Sequence, residues 1–386
     1  MIQLCDESSC TQCYACYTIC PKHCISMVMN AEGFRFPQID YSICVNCQLC
    51  VKTCHVLSPL YECEVVQDNF HPKVYAAWAK NDLDRTLSSS GGLFSVAAKL
   101  ILSRQGVVYG AAFSEALRLA HLRVEAEENL KLLRESKYLI SDLEGVFKSV
   151  KKDLMNHRDV LFVGTPCQVA GLKKYLNKDY DNLYTCDLLC HGVPSYKSFL
   201  AYLRLVYSES EIANMVDFHF RYTKGWGFQL SADFKNPKKR KVVSPYDAFY
   251  LRAFNKGLMF MKACFECKYS SQRRIGDITL GDFWNIGCKI PFGKSKKKGI
   301  SLLLLNTSKG DAIFEQIKGS VLYERRSLQE AIDGNYNLHS PSIYPQGRNT
   351  YVYDSFVMTK KELVKKYGLA PSLKDYLRPI KRWFIG

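Results

Sequence analysis

Apolar residues recur along this chain with two periods, one helical and one extended. In the stretch from Leu93 to Leu102, Leu93, Val96, Ala97, Leu100 and Ile101 fall at i, i+3, i+4, i+7 and i+8, which predicts a helix with one apolar face. Ser90 is its expected N-cap, and Gly91 and Gly92 would let the backbone approach a ligand closely. Such a helix start can hold an anion on its free N–H groups; an ordinary capped helix is the plainer reading. Short apolar runs at 74–78, 106–113, 121–125, 160–163 and 182–189 read as strands. Helical patterns at 129–133, 142–154, 168–176 and 195–206 come between or after them, an alternation that predicts α/β architecture. Gly164-Thr165-Pro166-Cys167 and Cys190-His191-Gly192 then sit at strand ends, where ligand crevices of open α/β sheets lie.

From Met215 the texture changes. Residues 215–222 and 228–234 alternate as half-exposed strands do, with the basic run 236–241 as the turn between them. Residues 248–258, 311–318 and 327–333 read as helices, and 300–305 as a strand behind the lysine-rich loop 294–298. In the tail, Leu373, Tyr376, Leu377, Ile380, Trp383 and Phe384 share one helical face and basic residues the other. Such a helix could touch a membrane surface peripherally or dock on protein.

Cysteine spacing adds the chemistry. Cys10, Cys13, Cys16 and Cys20 form a C-x2-C-x2-C-x3-C run, repeated by Cys44, Cys47, Cys50 and Cys54. This is the spacing of two-cluster ferredoxins, in which the fourth cysteine of each run serves the other run's cluster. One 4Fe–4S cluster is therefore expected on Cys10, Cys13, Cys16 and Cys54, the other on Cys44, Cys47, Cys50 and Cys20. Two short helices are expected after the runs, with strands at 25–29 and 34–39. Pro21 follows the first run and His55 the second. Zinc suits paired C-x2-C units less specifically, and a disulfide framework belongs to small secreted domains.

Composition narrows the setting. With 47% hydrophobic residues the chain is not expected to be disordered. No leader-like stretch opens the sequence and no apolar run approaches about 18 residues, so its 17 cysteines point to a reducing, cytoplasmic setting. The formal charge of +16 favours an acidic electron-carrier protein or partner redox subunit. No nucleic-acid motif appears, so no nucleic acid is expected.

A second cysteine set lies outside the N-terminal module. Cys167 and Cys190 end strands, and Cys264-Phe-Glu-Cys267 is a C-x2-C pair. These four could hold a third 4Fe–4S cluster, with Cys186 and Cys288 as competing ligands and a zinc knuckle as the alternative.

Ser89-Ser-Gly-Gly-Leu-Phe-Ser95, Gly106-Val-Val-Tyr-Gly-Ala111, Ser136-Lys-Tyr138, Gly164-Thr-Pro-Cys-Gln168, Cys190-His-Gly-Val-Pro194 and Asp277-Ile-Thr-Leu-Gly-Asp-Phe-Trp284 follow in that order. Together they resemble the coenzyme F420 hydrogenase/dehydrogenase beta-subunit family, in the form with a fused N-terminal ferredoxin domain. The resemblance covers residues 72–320, with the ferredoxin part in front. It implies FAD beside a 4Fe–4S cluster, with two-electron chemistry at the flavin. By position, Cys167, Cys190, Cys264 and Cys267 match the family's cluster cysteines. Ser89, Ser90, Gly91, Gly92, Ser136, Lys137, Tyr138, Gly164 and Thr165 match segments around the flavin. Glu135 stands where a Gly is usual and Leu139-Ile140 replaces a polar step, so individual flavin contacts do not transfer directly.

The expected fold is thus mixed α+β and α/β. A two-cluster ferredoxin-like module (1–60) and a linker (61–71) precede an α/β flavin and iron–sulfur domain with a mixed sheet (72–155 and 156–325), and a helical basic tail (326–386) follows. The expected function is an iron–sulfur flavoprotein oxidoreductase acting on a small organic substrate or a deazaflavin. A pure electron-transfer subunit and a zinc-stabilised binding protein are the alternatives. No residue stands out as a proton donor; His191 is a candidate, although a structural histidine is the plainer reading.

Overall fold

A computed structural model describes residues 2–60, 72–114, 117–222, 226–373 and 375. The expected linker lies outside the described residues, as does nearly all of the amphipathic tail helix. Thirteen strands form three sheets among the described residues. In chain order they are β1 (Ile25–Met29), β2 (Arg35–Ile39), β3 (Lys73–Ala79), β4 (Val107–Phe113), β5 (Leu119–Val124), β6 (Val160–Gly164) and β7 (Leu183–Leu188). Then come β8 (Met215–His219), β9 (Ser231–Phe234), β10 (Lys239–Val242), β11 (Ile278–Asp282), β12 (Ser301–Leu305) and β13 (Val321–Arg325).

Eight strands build the main sheet in the order β13-β3-β12-β11-β7-β6-β4-β5. The contiguous strands β11, β7, β6 and β4 run parallel, and the flanking pairs are antiparallel. Segments 72–155 and 156–325 therefore share one sheet. Its strands are apolar on both faces, as a sheet covered on two sides requires. In β6, Leu161 and Val163 pack with helices Leu93–Ser103 and Ser308–Ile317, while Val160 and Phe162 face helices Val146–Met155 and Pro166–Leu176. A satellite sheet, β10-β9-β8, carries its own aromatic core around Phe199, Phe218, Phe220 and Tyr250. The basic run lies partly in that sheet, because Lys239–Val242 is β10 itself.

The N-terminal module is pressed onto the main domain. Tyr14 and Ala15 join the core beneath β6. Arg35 donates to Asp142 at 2.8 Å, and Glu32 pairs with fully buried Arg348. Gly171 lies inside helix Pro166–Leu176 because a Cβ there would stand 2.8 Å from the Cβ of Cys13. A Gly171→Val variant should thus displace the Cys13 loop, cost about 1–3 kcal/mol by overpacking and lower the iron content of the purified protein. Unchanged iron would show that the helix yields instead.

Helices Leu328–Gly334, Arg348–Val357 and Lys360–Lys366 follow the sheet. Helices Asp82–Thr86 and Glu209–Asn214, β11 and the half-exposed edge strand β13 escaped the sequence pattern.

Candidate cofactor cleft and cysteine chambers

Each ferredoxin-type run closes on itself through left-handed residues. Gln12 and Tyr14 have φ of 55° and 62°, and Asn46 and Gln48, at the same places in the repeat, have 54° and 60°. Two such residues among three cysteines turn the backbone around a small volume. The short helices Ala15–Ile19 and Leu49–Thr53 lie inside the runs, not after them, because the wrapping itself contains the helical turn.

The runs exchange their last cysteines. Cys10, Cys13, Cys16 and Cys54 line one chamber of about 370 Å³; Cys20, Cys44, Cys47 and Cys50 line another of about 330 Å³. Each also holds a fifth sulfur that spacing alone did not single out. Cys5 Sγ lies 3.4 Å from Cys54 Sγ, and Cys24 Sγ lies 3.4 Å from Cys20 Sγ.

Cys167, Cys190, Cys264 and Cys267 meet in a third chamber of about 880 Å³. Cys167 opens helix Pro166–Leu176 just past β6, Cys190 follows β7, and the other two sit on the turn Lys262–Glu266 and its end. Burial pushes the Cys167 thiol up to about 11 and Cys190 up to about 12, and the neighbouring sulfurs add to both. Cys264 is raised by burial and by the same neighbouring sulfurs, and four sulfurs gathered in this way are a donor set suited to a soft cationic centre. Cys186 and Cys288 do not compete: the first is buried in the sheet and the second is exposed at the surface.

Arg274 and Asp187 hold this region together. Arg274 donates to Asp187 at 2.8 Å and to the Tyr269 carbonyl at 2.7 Å, while the other Asp187 oxygen accepts from Ile275 and Gly276 N–H. The loop carrying Cys264 and Cys267 is thereby tied to the end of β7.

A cleft of about 1470 Å³ opens beside this chamber along the C-terminal ends of β4, β6, β7 and β11. Ser89, Ser90, Gly92, Ser136, Lys137, Tyr138, Gly164 and Thr165 line it; Gly91 does not. Gly91 is packed where a Cβ would stand 2.4 Å from the Ala77 carbonyl oxygen, and its N–H donates to Ser301 Oγ. Ser90 is not the N-cap of helix Leu93–Ser103. Gly92 takes that place with φ 83°, a conformation serine adopts poorly.

The cleft's polar groups are partly spoken for. Ser89 Oγ accepts from Ser136 N–H at 2.8 Å, and Tyr138 OH meets Arg221, which pairs with Asp282. Burial pushes Lys137 down to about 8. On the floor, His121 Nε2 faces the Val163 carbonyl at 2.9 Å, so that nitrogen carries the proton. Nδ1 then accepts from Ser141, whose oxygen accepts from Gln168. Ser90 Oγ and Asn335 Oδ1 are buried without partners among the described residues, and both residues line the cleft. Orphaned polar atoms, a large part-apolar volume and a helix N-terminus suit a dinucleotide with an aromatic ring.

Cleft and chamber share a wall: Thr165, Cys190, His191, Gly192 and Val193 line both. Gly192 keeps it thin, since a Cβ there would meet the Phe260 ring at 2.3 Å. Thr11, His55 and Val56 likewise line both the third chamber and that of Cys10. His55 is 2% exposed, and burial pushes it down to about 4, so its ring is neutral.

Two family models match parts of the chain. Residues 157–330 match the family described as the C terminus of the coenzyme F420 hydrogenase/dehydrogenase beta subunit, and residues 9–57 match the 4Fe-4S dicluster domain. A coenzyme F420-dependent sulfite reductase from Methanocaldococcus jannaschii is 25% identical over 334 residues. That match covers 85% of this chain and 48% of the relative, so the chain spans about half that protein's length. The F420-reducing nickel–iron hydrogenase complex from Methanosarcina barkeri contains a chain with a distant likeness. It has a TM-score of 0.48 at 16% identity, covering 77% of this chain and 92% of that one. Residues 157–330 thus carry the C-terminal domain of the coenzyme F420 hydrogenase/dehydrogenase beta-subunit family, behind a 4Fe-4S dicluster domain at residues 9–57.

Proposed function

We propose that this protein is an iron–sulfur flavoprotein oxidoreductase that connects a one-electron carrier protein to a small organic substrate. The observation that carries this reading is the sequence of shared walls: chamber to chamber through Thr11 and His55, then chamber to cleft through Thr165 and residues 190–193. Cys10, Cys13, Cys16 and Cys54 would hold one 4Fe–4S cluster; Cys20, Cys44, Cys47 and Cys50 a second; Cys167, Cys190, Cys264 and Cys267 a third. Ser90, Gly92, Lys137 and Asn335 would hold FAD in the cleft. Bound clusters supply one-electron steps, and a flavin supplies both one- and two-electron steps.

The protein's own groups set the conditions. The thin wall at Gly192 keeps the two sites adjacent while the buried Arg221–Asp282 pair holds Tyr138 at the cleft side. Lys137 offers the cleft a positive charge suited to an anionic cofactor or substrate. The F420-dependent relative makes a deazaflavin a candidate substrate; because only half of that protein is matched, sulfite is not carried over.

Electrons would enter at the chamber of Cys47, whose rim is apolar and open. Val45 and Leu49 line it and are exposed, Val45 by 56%, and Tyr41 and Ile43, just before Cys44 in the chain, are exposed as well. The excess of basic residues favours an acidic carrier. Ile43→Asp with Val45→Asp should slow reduction by a reduced acidic ferredoxin by about tenfold or more, as loss of an apolar contact centre does. Reduction by a small viologen dye should be unchanged. Equal rates with the protein carrier would remove this face from the account.

A further inference from the structure

His55 occupies the place after the second cysteine run that Pro21 occupies after the first. The two residues meet different surroundings. Pro21 is exposed, whereas His55 is buried between the Cys10 chamber and the third chamber. Both of its ring nitrogens are engaged. Nε2 meets Thr11 Oγ1 at 2.8 Å and Nδ1 meets Tyr269 OH at 2.8 Å. The His55 and Tyr269 rings also touch, with centroids 5.5 Å apart.

Each member of this bridge lies close in sequence to a cysteine that lines a chamber. Thr11 follows Cys10, His55 follows Cys54, and Tyr269 comes two residues after Cys267. Tyr269 is itself fixed, because its carbonyl accepts from buried Arg274 at 2.7 Å. A proline at position 55 would supply neither ring nitrogen. Proline fits where a cluster faces solvent; the imidazole stands where one chamber faces another.

We infer that His55, held by Thr11 and Tyr269, is a positioning residue that fixes the separation of two iron–sulfur centres and provides the hydrogen-bonded route between them. This rests on the reading of the third chamber as a cluster site. Groups next to the ligands of a metal centre orient those ligands, and their loss commonly costs about 10- to 100-fold. Tyr269→Phe removes one hydroxyl and keeps the ring packed against His55, which separates the hydrogen bond from the packing.

The test compares wild type, His55→Phe, His55→Gln and Tyr269→Phe, each purified anaerobically. The readouts are iron content, the magnetic coupling between reduced clusters in the electron paramagnetic resonance spectrum, and freeze-quenched electron passage from the N-terminal module to the third centre. All four proteins should retain about twelve irons, three clusters of four. His55→Phe and Tyr269→Phe should lose the coupling signature and slow passage by about tenfold or more, and His55→Gln, whose amide can restore both hydrogen bonds, should recover most of it. Coupling and passage unchanged in both His55→Phe and Tyr269→Phe, with about twelve irons present, would overturn the inference alone. A wild type with about eight irons would remove the third centre and the inference with it.

Discussion

Replacing Cys190 with serine is expected to remove one whole iron–sulfur centre and leave the rest of the protein in place. Cys190 stands at the end of β7 in the wall between the third chamber and the cleft, so it belongs to both sites. The substitution alters one atom, and the strand before it keeps its pairing with β6 and β11. Iron should fall from about twelve to about eight atoms per chain, with the two N-terminal clusters still visible by spectroscopy. Reduction of the cleft cofactor by a ferredoxin should fall by about 100-fold or more, the scale on which essential parts of a catalytic route act. Undiminished iron would mean that Cys190 ligates nothing.

The second large effect concerns Asp187. It is 0% exposed, and its carboxylate accepts from Arg274 and from two backbone N–H groups. Asp187→Ala leaves the Arg274 guanidinium buried without its counter-ion. Breaking a buried pair on one side costs about 3–5 kcal/mol, much more than the pair contributes relative to apolar packing. The unfolding midpoint in urea should drop accordingly. Because Arg274 also fixes the Tyr269 carbonyl, iron at Cys264 and Cys267 should be lost before the N-terminal clusters. A cost below about 1 kcal/mol, the range of exposed pairs, would show that solvent reaches Arg274.

The chemistry written in local spacing was the most legible. Eight cysteines in two identical runs form two chambers because the wrapping is set within a dozen residues. The strands β3, β4, β6, β7 and β12 could be read from continuous apolar runs, since both faces of the sheet are covered. Contacts made at long range were not legible. Asp187 and Arg274 are 87 residues apart, and His55 and Tyr269 are 214 apart. Nothing near either residue announces its partner. Cys5 and Cys24 fall outside the repeat, so only the folded chain brings them to the chambers. Ser90 shows the limit of local rules. Its residue type suits a cap, but the glycine two places later takes the left-handed turn and the serine oxygen is left buried without a partner among the described residues.

On the function proposed above, the three cysteine-lined chambers hold iron–sulfur clusters and the cleft beside the third holds a flavin. Anaerobic purification followed by iron, acid-labile sulfide and flavin analysis on one sample tests it most directly. About twelve irons, about twelve sulfides and one flavin per chain are expected, with the flavin released as FAD on denaturation. A colourless protein holding zinc, or a brown protein with about eight irons and no flavin, would contradict it.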